Sequence, residues 1–312
     1  MTDPLAFAAR HARTILILGL MAGVAFPSAA DLLKPWIAEF VIAMLFIAAL
    51  RVGPRAALGA ARDLPAAFGI TFGLQVLAPI LAILAFGLVG WTGPLATGLI
   101  LMFAAPPMSG SPNLAILTGN DPAPALRQVV IGTAILSLTI IPVLWLAPDL
   151  GGVPEVIAAS ARLFLVIACA TGAGFLVRGL WLRTPSPETD RRIEGSSAIL
   201  LAFMVVALMS EVGPALRTDP ATLAAALVAV FAGSFGIQLL VVLMLRGRAP
   251  ERLIAPVGIV AGNRNIALFL TALPAGVTDP LLLFIGCYQF PMYLSPVLLS
   301  RLYPSTPPTE RI

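Results

Sequence analysis

Arg264 stands between Asn263 and Asn265 inside an otherwise apolar run. An arginine in such a setting costs about 2.5–3.5 kcal/mol on membrane-insertion scales, so it is expected to do something. One reading pairs it with an anionic substrate. The other satisfies it with unwound carbonyls of the fourth apolar stretch, roughly 94–118, so that it holds a helix crossing together. A second polar string, Ser109, Ser111 and Asn113, lies among three prolines at 106, 107 and 112. The asparagines can bind a ligand or cap half-helices. Gln75 and Gln238 call for a polar cavity or for interhelical bonds. Tyr288 and Gln289, with Tyr293, follow a helical spacing that can face a core. This is the chemistry of binding. No nucleophile–base pair, nucleotide loop or metal cluster is present, so neither an enzyme nor a cofactor is expected.

The elements that position these residues must be membrane helices. Apolar residues make up 59% of the 312 and charged ones 11%, more apolar surface than a soluble fold can hide. Stretches near 20 residues recur from Thr14 to Tyr303, which predicts an all-α polytopic protein, since helix satisfies its backbone within the bilayer. Proline, glycine and charge clusters place spans at roughly 14–27, 35–52, 64–90, 94–118, 122–147, 160–182, 196–213, 220–245, 252–275 and 280–303. Thr14–Phe26 reads as a short first helix rather than a cleaved leader. Cys169 and Cys287 read as small core residues, with no disulfide implied. The net charge of +4 is not gathered on one basic face, so nucleic acid is not an expected partner.

With the N-terminus inside, the inner loops collect Arg10, Arg13, Arg51, Arg55, Arg62, Arg178, Arg183, Arg191, Arg192, Arg246, Arg248, Arg252, Arg301 and Arg311. The outer loops hold only Lys34, Arg162 and Arg217, beside acids such as Asp31, Asp149 and Asp279. That bias predicts both termini on the cytoplasmic side of a cytoplasmic (inner) membrane. The Ala/Arg/Pro-rich composition suggests a bacterial source.

Short strings recur in order along the chain. Phe72-Gly73-Leu74-Gln75-Val76-Leu77 returns as Phe235-Gly236-Ile237-Gln238-Leu239-Leu240, Ser111–Leu117 returns as Asn263–Phe269, and Ile141-Pro142-Val143-Leu144 returns as Ser295-Pro296-Val297-Leu298. They predict two five-helix repeats, residues 1–150 and 151–312, inverted because five is odd. Within them Ala104–Asn113 and Gly258–Asn265 are poor continuous helix. Paired interruptions of this kind point to a transporter's site near the midplane, with unpaired N–H groups favouring an anion and carbonyls suiting a cation.

On the Gln75-to-Pro79 span, the break ending Ser111-Pro112-Asn113 before Gly119-Asn120-Asp121, and the second break at Gly262–Asn265, the whole chain resembles the bile acid:sodium symporter family (sodium/bile acid cotransporter-like proteins). Arsenite exporters and other permeases share the architecture. The resemblance implies a core of spans 3–5 and 8–10, in which broken helices four and nine cross, and a panel of spans 1, 2, 6 and 7, with substrate in the cleft between them. It also implies transport of organic anions, commonly with sodium held behind the crossing. This chain departs from the family's sodium site. Val260 stands where an acid opens the span-nine motif, Arg264 replaces a glutamine, Pro112 replaces an asparagine, and Arg127 and Ile131 align with expected hydroxyl ligands. Only Ser111 and Gln75 keep recognisable form. A guanidinium about 4 Å from sodium would oppose it by roughly 4 kcal/mol at an effective dielectric of 20. The expectation is a secondary transporter of a small or amphipathic organic anion that does not bind sodium at the usual sites, working by alternating access in the lipid membrane. Proton symport, exchange, uniport and oligomeric state stay open. Glu39 and Glu211 read as interfacial carboxylates, or as proton-coupling groups if they face the cleft, and Tyr303 as an interface anchor. A receptor on a transporter scaffold and an arsenite-exporter-like permease are the alternatives.

Overall fold

A computed structural model describes residues 3–60, 64–147 and 152–303; Arg62, Asp149, Arg311 and the tail after Tyr303 lie outside them. In chain order the helices are α1 Pro4–Arg10, α2 Ala12–Ala25, α3 Pro27–Leu33, α4 Ile37–Ala60, α5 Leu64–Phe72, α6 Ala78–Leu88, α7 Pro94–Ala104, α8 Ser111–Leu117 and α9 Ala123–Ala134. They continue with α10 Leu136–Leu146, α11 Val153–Leu180, α12 Pro187–Leu208, α13 Val212–Thr218, α14 Pro220–Leu245, α15 Glu251–Gly262, α16 Ala275–Thr278 and α17 Leu282–Leu298. No strand forms among the described residues; one isolated antiparallel bridge joins Pro107 to Arg264.

Six helical stretches are long and apolar enough to cross a bilayer: 27–59, 65–88, 153–180, 187–218, 220–245 and 275–298. The number rises to eight when α1 with α2, bent by 86°, and α9 with α10, bent by 65°, each count as one crossing. Several elements differ from the sequence reading. The stretch near 122–147 is not one rod but bends at Ile135. The helix expected from 196 begins at Pro187, because the Ser186 side chain accepts a hydrogen bond from the Thr189 amide and caps it. Between α5 and α6, residues Gly73–Leu77 form a π-helical turn. Cys287 is buried, but Cys169 is exposed and so is not a core residue; it lies on α11, whose apolar surface is mostly unburied.

The chain forms two compact units, each built from segments far apart in sequence. Unit 1 comprises 1–58, 161–225 and 267–287. In it α12 packs along α1, α2 and α3. Ion pairs tie the helix ends, with Lys34–Glu211 at 2.8 Å, Arg51–Glu194 at 3.7 Å and Arg178–Asp190 at 3.3 Å. Unit 2 comprises 59–160, 226–266 and 288–312. Its core gathers Leu74, Ala115, Val242, Ile254, Ile259, Val260 and Tyr303. Small residues such as Ala115, Ala125, Ala255 and Ala261 in that cluster let helices approach closely, the usual basis of packing among apolar helices in lipid.

Candidate functional site

Both chain interruptions fall in unit 2. The first follows from proline chemistry. Helix α7 closes its last backbone bond from the Ala105 amide to Leu101, after which Pro106 and Pro107 supply no N–H. The Phe103 carbonyl would have been taken by residue 107 and is left open. Ala105 adopts extended backbone, as a residue before proline prefers. The chain turns through Met108–Gly110 and restarts at Ser111, with Pro112 tolerated in the first turn of α8.

The second interruption keeps its donors. Helix α15 ends at Gly262, and the Asn263 side chain donates from Nδ2 to the Ile259 carbonyl at 2.8 Å. Asn263 thus acts at a helix C-terminus, not as the N-cap favoured by its residue type. Its Oδ1 accepts from Ser295 Oγ at 3.1 Å. Two backbone bonds join the interruptions: the Met108 amide donates to the Asn263 carbonyl at 2.9 Å, and the Asn265 amide to the Pro106 carbonyl at 2.8 Å. The Tyr288 hydroxyl accepts from the Arg264 amide at 2.7 Å and donates to the Gly262 carbonyl at 2.5 Å. Ser234 Oγ also donates to that carbonyl at 3.0 Å. The broken backbone is therefore closely accounted for by partners in the same unit.

The Arg264 side chain is 2% exposed and bonds to three carbonyls. Nη2 donates to Phe103 at 2.7 Å and to Leu74 at 3.1 Å, and Nη1 donates to Val260 at 3.3 Å. Each acceptor has lost its helical donor. Pro107 deprives Phe103. In the π turn the Ala78 amide goes to Gly73, and the next position, Pro79, has no N–H, which deprives Leu74. The Arg264 amide, which would have closed on Val260, bonds Tyr288 instead. A fixed cation thus sits in a cage of neutral backbone oxygens, and its Nε–H is buried without a partner.

Gln75 is fully buried beside this crossing. Its Oε1 accepts from Thr139 Oγ1 at 3.0 Å, and its Nε2 has no partner. A Cβ on Gly132 would come within 2.6 Å of that Nε2 and 2.9 Å of Pro107 Cδ, so the close approach of α9 requires glycine there. Ser111 Oγ is also buried and unpartnered. Gln238 is satisfied on both ends: Nε2 donates to Ser234 O at 3.1 Å and Oγ at 3.2 Å, and Oε1 accepts from the Tyr303 hydroxyl. Tyr303, expected at the interface, is buried against Gln238. Gln289 is buried, Asn265 and Ser109 are half-buried, and Asn113 is exposed on α8. In unit 1, Glu39 is exposed and Glu211 pairs with Lys34.

Thr139, Ser234, Ser295 and the pair Thr71–Gln128, bonded at 2.9 Å, were not singled out by sequence; the echo that aligns Ile141–Leu144 with Ser295–Leu298 passes directly over Ser295. Among the described residues no group of three His, Cys, Asp or Glu is placed to hold a metal ion. The arrangement can bind and orient, with a buried positive charge and unpaired N–H donors on Arg264 and Gln75. No protein-family model matches the chain, and no curated protein matches it.

Proposed function

We propose that this protein is a secondary membrane transporter of a small or amphipathic organic anion, working by alternating access, with the Arg264 guanidinium in the place that a mobile cation holds in the symporters it resembles. The observation that carries the reading is the buried guanidinium held by the carbonyls of Leu74, Phe103 and Val260 where two interrupted segments are bridged. Interrupted helices meeting at a polar point are how transporters build a site within the bilayer. A carbonyl cage suits a cation, and a covalently tethered one needs no ion gradient to fill it. Counting the broken segments 94–117 and 251–271 as one crossing each brings the eight span candidates to ten, as two inverted five-helix repeats in a cytoplasmic membrane require.

Purified protein in proteoliposomes, given radiolabelled taurocholate or pyruvate under separately imposed sodium and pH gradients, tests this. Saturable uptake that is indifferent to sodium is the expected result. A strict sodium requirement overturns the tethered-cation reading, and the absence of flux for both organic anions overturns the anion assignment.

A further inference from the structure

Unit 1 carries a second basic site that the transport reading does not use. Helix α4 is not continuous: Gly53 has φ 73° and ψ 157°, and Pro54 follows it. A positive φ is open to glycine and strained for other residues. The resulting kink, together with the end of α11 and the turn after it, borders an open cavity of about 420 Å³ lined by Val52, Gly53, Arg55, Arg178 and Arg183. The stem of Arg178 lies over Gly53, where an added Cβ would come within 3.3 Å of its Cγ.

The charges do not cancel. Arg178 Nη1 has Asp190 at 3.3 Å. Arg183 donates from Nε to the Gly179 carbonyl at the end of α11, 2.7 Å away, which spends no charge. Arg55 is exposed, and among the described residues no acid forms an ion pair with it or with Arg183. The neighbouring Arg51–Glu194 pair is neutral as a whole. Three guanidinium groups face one carboxylate. Beside them the surface turns apolar, with Leu58 74% and Trp181 79% exposed and Leu176 and Leu180 also uncovered. Tryptophan is enriched at the headgroup level of bilayers.

We infer that the cavity lined by Arg55, Arg178 and Arg183 is a binding site for the phosphodiester headgroup of an anionic phospholipid, whose acyl chains lie on the exposed leucines of the same helix ends. Guanidinium forks match phosphate oxygens in pairs, and basic pockets at helix ends are where anionic headgroups settle. The adjoining apolar surface selects a lipid over a free anion.

The test uses detergent-purified full-length protein and measures the binding of dioleoylphosphatidylglycerol, dioleoylphosphatidylcholine and sodium phosphate by native mass spectrometry and by thermal midpoint. The wild type is expected to bind phosphatidylglycerol about tenfold or more tightly than phosphatidylcholine. The double substitution Arg55→Gln with Arg183→Gln abolishes that preference, while Arg55→Lys with Arg183→Lys keeps most of it. Equal binding of the two lipids by wild type overturns the site, as does an undiminished preference in the Gln pair. Inorganic phosphate displacing phosphatidylglycerol at equal concentration overturns the lipid assignment.

Discussion

The interruption at Ala105–Gly110 and the one at Asn263–Asn265 are bridged by backbone bonds but differ in chemistry, because prolines open the first and none stands in the second. Prolines remove donors, so the first break exposes a carbonyl at Phe103, and Pro79 does the same to Leu74 across the π turn. The second break contains no proline, so the amides of Asn263, Arg264 and Asn265 are all present and all engaged. What it adds is a side chain made only of donors. That side chain fills the carbonyls that proline opens at Phe103 and Leu74, and the one that its own break opens at Val260.

The most severe way to break that match is to remove the donor. Arg264→Leu strands three buried carbonyls and is expected to destabilise by about 3 kcal/mol or more, read as a lowered thermal midpoint in detergent. Arg264→Lys recovers only part, because an ammonium lacks the planar fork that reaches carbonyls on three segments. If the leucine variant melts with wild type, the cage contributes nothing.

The two buried glutamines sharpen the comparison at a smaller scale. Gln238→Leu removes a side chain bonded at both ends and leaves the Tyr303 hydroxyl unpaired, costing about 1–3 kcal/mol. Gln75→Leu deletes an amide already unpaired at Nε2, and Thr139 keeps its second acceptor at Leu136. Its cost in the same melting experiment is under about 1 kcal/mol. A reversed order would mean that Gln75 holds the unit together rather than serving a ligand.

How far the sequence foretold this can be judged residue by residue. Both breaks were readable because proline, glycine and clustered asparagines act locally. The carbonyl partners of Arg264 were anticipated only on the segment that holds Phe103, and those at Leu74 and Val260 were not, since a bond from residue 264 to residue 74 leaves no local trace. The bend at Ile135 carries no proline at the bend itself, and the early start of α12 passes through Glu188, Arg191 and Arg192, residues that form helix well while lowering hydropathy. Tyr303 looked like an interface tyrosine because nothing nearby in the chain announces its bond to Gln238.

Pro107→Ala tests the origin of the open carbonyl with little change in stability. The new amide can close on Phe103 and displace Arg264 Nη2, one bond for another, so the midpoint should move by less than about 1 kcal/mol. Uptake should nevertheless fall, and retention of wild-type uptake would uncouple the cage from transport.

The slightest effect lies outside both breaks. The partly exposed Asp3 carboxyl is held below its ordinary value of 3.8, chiefly by the hydrogen bond from Arg192, whose Nε lies 2.6 Å away. A depressed carboxyl stabilises above its unfolded value and loses that contribution as pH falls through the folded one. The difference in midpoint between wild type and Asp3→Asn should therefore be present at pH 6, begin to fall only once the pH drops below 3.8, and shrink in high salt.

The tethered cation itself is tested most directly by equilibrium binding of radioactive sodium to the purified wild-type protein. No saturable binding across the millimolar range is the predicted result, because Arg264 already occupies the carbonyl cage. Saturable, stoichiometric sodium binding would contradict the account.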